Sequence, residues 1–175
     1  MAMAVYKGKV TVDTCAGRPD YVDITPQIRQ IVEESGIKEG TVTVISKHST
    51  CSVFFEEWDH DVAPNGESFL QMDLDDGLEK IFPEQRDWRY YRYPGLKHFE
   101  EVETWPDVEA YLPGGDRTLL WNCDAHLRST LIGSNCVFEV AEGKLVMGVT
   151  GYIFLVDYDR TRERTRTAQV VVMGE

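Results

Sequence analysis

The sequence predicts an α+β fold: a largely antiparallel or mixed β-sheet or sandwich, with about three helices set into its middle. Three observations carry this. Strand patterns crowd both ends of the chain, at Tyr6–Val12 and again from Cys136 onward. Helix start and stop signals are confined to the interior, between Thr25 and Gly133. The turn Ala141-Glu142-Gly143-Lys144 joins two apolar runs, which is the signature of a hairpin and so of antiparallel pairing.

Taken in order, Tyr6, Gly8, Val10 and Val12 alternate with Lys7, Lys9, Thr11 and Asp13, the period of a half-buried strand. Residues 15–19 turn the chain and Tyr21–Ile24 is extended. Thr25-Pro26 reads as a hydroxyl N-cap with proline at the first helical position. Ile28, Ile31 and Val32 form the stripe of that helix, and Gly36 ends it. Thr41–Ile45 is a β-branched run suited to a pleated surface. A second extended run, Val53-Phe54-Phe55, follows the polar connection Lys47–Ser52 and closes on Glu56 and Glu57. Past a breaker-rich loop, the spacing of Leu70, Leu74, Leu78 and Ile81 predicts a helix over 68–82, stopped by Pro83. Residues 86–116 lack periodicity but are too aromatic for disorder, which predicts a lid or a loop packed against another subunit. A third helix is capped by Asn122 or Asp124, shows Leu127 and Leu131 as its apolar face, and ends at Gly133. Strands over 136–140, 145–149, 152–156 and 168–173 complete the chain.

The 175 residues make one domain, 1–175, large enough for a core without staples. A net charge of -12 argues against nucleic acid or an anionic membrane as partner. No window approaches the roughly 20 apolar residues of a membrane span, and the N-terminus lacks an export signal, so a cytoplasmic protein is expected. The four cysteines contain no C-x-x-C pair and are expected to be reduced thiols.

The polar connection is where chemistry is expected, because two apolar runs there present a histidine, hydroxyls and a thiol with nothing to bury. His48, His98 and His126 lie on separate elements and could converge on a divalent metal with an open position; equally, each could bond locally. His48-x-x-Cys51 and Cys123-x-x-His126 also mirror each other as a Cys2His2 set, though with no established zinc-module spacing. If the second extended run continues, Glu56 and Glu57 point to opposite faces, so at most one shares a pocket with His48. Arg160, Arg162, Arg164 and Arg166 recur at period two, which suits either an anion site or a charged edge strand.

In order along the chain, His48-Ser49-Thr50-Cys51 through Glu56-Glu57, Asp73-Leu74, His98, Asn122 to Gly133, Gly143 to Gly148 and the arginine-rich last strand resemble the YjbQ-like family, whose members carry a secondary thiamine-phosphate synthase assignment. The resemblance implies a YjbQ-like α+β fold, a homotrimer, and His48, His98 and His126 grouped at one site as metal ligands. It makes Glu57 the preferred catalytic carboxylate beside His48. Ser49, Thr50, Asn122, Arg128, Arg164 and Arg166 are then candidates for binding a small anionic or phosphorylated substrate. Zinc is the metal expected, or magnesium if the substrate is a diphosphate. The chain departs from the family at Thr150-Gly151, where a Trp-Gln pair is usual, at Asp157 in place of Glu, and at Glu56 in place of Asn. Three functions follow: a synthase-like transferase, a metal-assisted hydrolase, and a non-catalytic trimeric binding protein.

Overall fold

Alternating apolar residues in the predicted strands become two stacked sheets. A computed structural model describes residues 3–175. Strands β1 (Ala4–Thr14), β8 (Arg164–Gly174), β3 (Gly40–Ser46), β5 (Asn135–Ala141) and β6 (Lys144–Val146) form a five-stranded antiparallel sheet in that order. A three-stranded sheet orders β2 (Asp20–Asp23), β7 (Gly151–Asp157) and β4 (Cys51–Glu57), again antiparallel. The main core fills the space between them. Val10, Val42, Val44, Val170 and Val172 project from one sheet, Val53, Ile153 and Leu155 from the other, and α1 (Thr25–Ser35) adds Ile28, Ile31 and Val32.

The three-stranded sheet is covered on both faces. Its second face packs Phe54, Val156 and Tyr158 against Leu74 and Leu78 of α2 (Phe69–Ile81) and Ala125 of α5 (Cys123–Ile132). β7 is consequently buried along nearly its whole length, and the burial continues through Asp157, Tyr158 and Asp159. Two carboxylates thus enter the interior, where an unpaired charge would be prohibitively costly. They need cations, and the next strand supplies them.

The α+β class and the antiparallel sheets agree with the sequence; five α-helices are present among the described residues, two more than expected. The extra pair, α3 (Leu96–Val102) and α4 (Val108–Tyr111), comes from the segment without periodicity. That segment has its own small core of Val102, Leu112 and Leu120, backed by Phe99, Trp105, Val108 and Tyr111.

Three local readings need correction. The α5 face is not Leu127 and Leu131: Leu131 is 55% exposed, and the helix buries Asp124, Ala125, Arg128 and Ser129. The polar face wins because Arg128 is ligated from α2, by the Glu79 carboxylate at 2.5 Å and the Phe82 carbonyl at 2.8 Å. Thr25 does not cap α1; its hydroxyl accepts the Ile153 amide at 2.7 Å and ties the helix to β7. The arginine run is not a single edge strand either: Arg160 and Arg162 precede β8, and only Arg164 and Arg166 belong to it, paired with β1 beyond the end of β3.

Close backbone approach explains two glycines. A Cβ on Gly40 would stand 2.0 Å from the Met173 carbonyl oxygen, and Gly40 pairs with Gly174 across the β3–β8 ladder. No helix among the described residues is long and apolar enough to cross a membrane.

Candidate functional site

The site begins where one ladder runs out. β8 pairs with β1 from Arg164 to Gly174, but β3 pairs with it only as far as Ser46 opposite Ala168. Beyond that point the Thr167 amide has lost its strand partner. The chain turns back, and His48 Nε2 accepts the Thr167 N–H at 3.0 Å. An imidazole thereby replaces a ladder carbonyl, satisfying a donor that would otherwise be orphaned. In the neutral ring this use of Nε2 leaves the proton on Nδ1, so Arg166 Nη1, 3.4 Å away, faces it as a second donor and not as a hydrogen-bond partner. Burial first, then the Arg166 charge, hold His48 below the ordinary imidazole range.

Beneath His48 the arginines of β8 meet Asp157, the last residue of β7, and Asp159 just beyond it. Arg166 forks onto Asp157 with contacts of 2.6 and 3.2 Å and also donates to Thr50 Oγ1 at 3.0 Å. Asp157 accepts further from Thr14, Thr50 and the Asp159 amide. Arg164 pairs with Asp159 at 2.6 Å, and Asp159 also accepts from Asn122 Nδ2 at 2.7 Å. This bond fixes the Asn122 amide and leaves its buried Oδ1 without a partner. Burial alone would raise Asp159, but Arg164 and the Asn122 and Thr161 bonds hold it below the usual carboxylate range.

Above this floor lies a cavity of about 320 Å³. Lys47, Arg162, Arg164 and Arg166 line it together with the single carboxylate Asp159, so its surface is cationic although the chain is acidic. His48, His98 and His126 all line it, with Ser49, Thr50 and Asn122. The aromatic segment closes the other side with Tyr93, Trp105 and Tyr111. Tyr93 joins two of the histidines: its hydroxyl is 3.0 Å from His98 Nε2, and its ring meets His126 edge-on at 5.4 Å between centroids. Burial lowers His126, while Asp159 and the Ser49 carbonyl pull the other way. Both shifts favour the neutral imidazoles of His48 and His126, so the standing positive charge comes from the arginines and Lys47.

Grouped around one cavity, the three histidines do not form a ligand set as they stand. Among the described residues, no three His, Cys, Asp or Glu groups are placed to hold one ion. His48 Nε2 is engaged by a backbone amide and His98 Nε2 by a phenol, so the side chains do not fit the implied zinc or magnesium without rearrangement. The Cys2His2 alternative fails because Cys51 is buried in the main core, with its thiol pushed up to about 12 by burial.

Other expected site residues lie elsewhere. Glu57 ends β4 opposite Gly151, six residues from Cys51, which is roughly 20 Å at the rise of an extended strand. Arg128 is 1% exposed and held by α2, away from the cavity lining. Thr150-Gly151 sits with Glu57, and a Cβ on Gly151 would be 1.9 Å from the Phe55 ring. Phe55 thus occupies the space a side chain at 151 would need.

Tyr93 and Asp159 are cavity residues that the sequence alone did not single out, and Asp157, noted there only as a departure from the family, supports the cavity floor. The acid–base pattern did hold a clue: Asp159–Arg164 is nested inside Asp157–Arg166, as expected when two strands return on each other. Nothing comparable marks Tyr93, one of several tyrosines in its segment.

The family described as UPF0047 protein YjbQ-like matches residues 9–175. A UPF0047 protein of Methanothermobacter thermautotrophicus is 28% identical over 93% of this chain and 89% of its own length. One from Archaeoglobus fulgidus is 30% identical over 85% of this chain and 89% of its own. A crystal structure of a YbjQ-like protein of unknown function from Sulfolobus solfataricus is 30% identical, with a TM-score of 0.72, covering 99% of this chain and all of that one. The chain belongs to the YjbQ-like UPF0047 family.

Proposed function

Starting from that membership, we propose that this YjbQ-like chain binds a small phosphorylated molecule in the three-histidine cavity and acts on it as a transferase resembling thiamine-phosphate synthase. One observation carries the reading: three arginines and a lysine line a single cavity in a chain of net charge -12. Guanidinium forks suit phosphate oxygens, and partly enclosed cations act more strongly than exposed ones.

In a synthase-like reaction, a thiazole nitrogen forms the new C–N bond to a pyrimidine methylene carbon. The C–O bond to diphosphate breaks, and its electron pair leaves on the diphosphate. The protein's task is to stabilise that departing charge, which prearranged cations do without reorganising. Asn122 Oδ1, buried and without a partner, offers an acceptor for a ligand N–H or O–H. Glu57 can reach such a cavity only across a subunit boundary, so its catalytic role depends on the trimer that the resemblance implies. Sedimentation analysis tests that assembly, and a monomer would remove Glu57 from the mechanism.

A second reading, metal-assisted hydrolysis, is favoured by the convergence of His48, His98 and His126 on one cavity. It requires His48 to release Thr167. Elemental analysis after zinc loading decides: near one ion per chain, lost in His126→Ala, supports it, whereas unretained zinc removes it.

The test of the main reading is calorimetry with sulfate, whose charge is constant between about pH 5 and 8, the range over which histidine changes charge. Binding is expected at neutral pH through the arginines. It should tighten as pH falls below about 6.5, because protonated His48 and His126 add charge beside the anion. The absence of sulfate or pyrophosphate binding at low ionic strength would overturn the proposal. Pyrophosphate binding with no turnover of phosphorylated reactants would leave the non-catalytic binding protein.

A further inference from the structure

We propose that Arg162 is the residue that couples an anion in this cavity to the aromatic segment above it, holding the ligand on one edge of its guanidinium and the Tyr111 carbonyl on the other. The inference rests on the anion-binding reading and deepens it by naming the responsive group.

The four period-two arginines are equivalent in sequence but not in the fold. Arg160 is paired with Asp124 at 2.8 Å, Arg164 with Asp159 at 2.6 Å and Arg166 with Asp157 at 2.6 Å. Among the described residues, Arg162 alone of the four makes no ion pair with a carboxylate. Its Nη1 donates to the Tyr111 carbonyl at 2.9 Å, and its guanidinium carbon lies 5.9 Å from the centroid of the Tyr111 ring. That bond uses one N–H of the five a guanidinium carries. Arg164 and Arg166 have their charge balanced from below by Asp159 and Asp157; the Arg162 charge faces the cavity without such a pairing.

The surroundings of Arg162 disfavour its cation as it stands. Burial first, then the neighbouring Arg164, pull it below the ordinary guanidinium range. An anion would reverse both effects by supplying opposite charge and accepting the remaining N–H groups.

Its second partner makes this more than a local effect. Tyr111 ends α4, and its side chain belongs to the small core of Val102, Leu112 and Leu120, separate from the two cores of the sheets. Arg162 lies in the connection between β7 and β8. A ligand that fixes its guanidinium plane therefore fixes the acceptor geometry at Tyr111. The segment should then open less often when the anion is bound.

The experiment uses the full chain with inorganic pyrophosphate as probe, comparing wild type, Arg162→Ala, Arg162→Lys and the exposed control Glu163→Gln. Calorimetry gives affinity, and amide hydrogen exchange over residues 96–120 reads the segment. Wild type and Glu163→Gln should bind pyrophosphate and slow exchange in the segment at least threefold. Arg162→Ala should bind at least tenfold more weakly and lose the ligand-dependent slowing. Arg162→Lys should recover part of the affinity and little of the slowing, because an ammonium cannot bridge both partners with a planar fork. If Arg162→Ala fails to fold, the lysine variant alone decides, through that split. Wild-type affinity and slowing in the Arg162 variants would overturn the inference while leaving the anion site standing. If wild type binds no anion, the cavity reading itself has failed and this inference falls with it.

Discussion

Strands β4 and β7 run side by side, and their two ends have opposite characters. At one end Cys51 pairs with Asp157, and the neighbourhood is a buried lattice of carboxylates, guanidiniums and hydroxyls. At the other, Glu57 pairs with Gly151, and the neighbourhood is aromatic and largely exposed, with Phe55 over Gly151 and Trp58 against Tyr152 at 4.8 Å between centroids. The same pair of strands thus carries a polar site at one end and a plain edge at the other. The difference lies in what crosses each end. β8 overhangs β3 only at the Asp157 end, and the overhang delivers both the arginines and the orphaned Thr167 amide that His48 caps.

The comparison breaks most severely at its buried carboxylate. Asp157→Ala leaves Arg166 without its forked partner and is expected to cost about 3 kcal/mol or more, as removal of one member of a buried pair does. Chemical denaturation reads this, and a loss under about 1 kcal/mol would mean that the pair is screened far more than its burial implies.

At the aromatic end, Gly151→Gln introduces the residue usual in the family. Its Cβ collides with the Phe55 ring, so a loss of about 1–3 kcal/mol is expected, as for other overpacking changes. Adding Phe55→Ala should recover most of it. If the single variant is as stable as wild type, Phe55 simply swings into solvent and does not define that end.

His48→Ala removes the acceptor of the Thr167 amide, with an expected cost of about 1–2 kcal/mol and faster hydrogen exchange at Thr167. His48→Gln, which retains an acceptor, should lose less. Acid should act in the same direction. A buried histidine with a lowered pKa contributes stability that is present above about pH 6.5 and lost as pH falls toward its folded value. The acid loss should therefore be smaller in His48→Gln than in wild type. Equal losses would assign the acid sensitivity to other groups.

Glu57→Gln is the smallest change, within about 0.5 kcal/mol, as befits an exposed strand end. Sulfate affinity should stay at the wild-type value. A clear rise would show that Glu57 reaches a cavity after all, across a subunit boundary, because its carboxylate would repel the anion there.

Much of the fold was legible because strands announce themselves through period-two patterns. The hairpin at Ala141–Lys144 needed only a turn that accepts positive φ, which Glu142 at 52° and Gly143 at 75° provide. The α5 face was misread because apolar spacing was its only signal. Leu127 and Leu131 have the correct spacing, but the helix instead turns Arg128 inward to ligands from α2, a partner 46 to 49 residues away. The histidines could be picked by rarity, since there are four in the chain. Glu57 could not be placed the same way, because adjacency in sequence to His48 is reversed by the length of a strand.

By itself the sequence determined the α+β class, the strand-rich ends, the acidic balance and the small set of imidazoles and arginines able to carry chemistry. These follow from local periodicity and composition, which need no knowledge of distant residues. Only the tertiary structure decided that Arg164 and Arg166 are neutralised by Asp159 and Asp157 while Arg162 is not paired, that His48 serves a broken ladder, and that Glu57 stands apart. Each of those depends on the register between strands far apart in the chain. A one-residue shift in register would exchange the faces and undo the pairing.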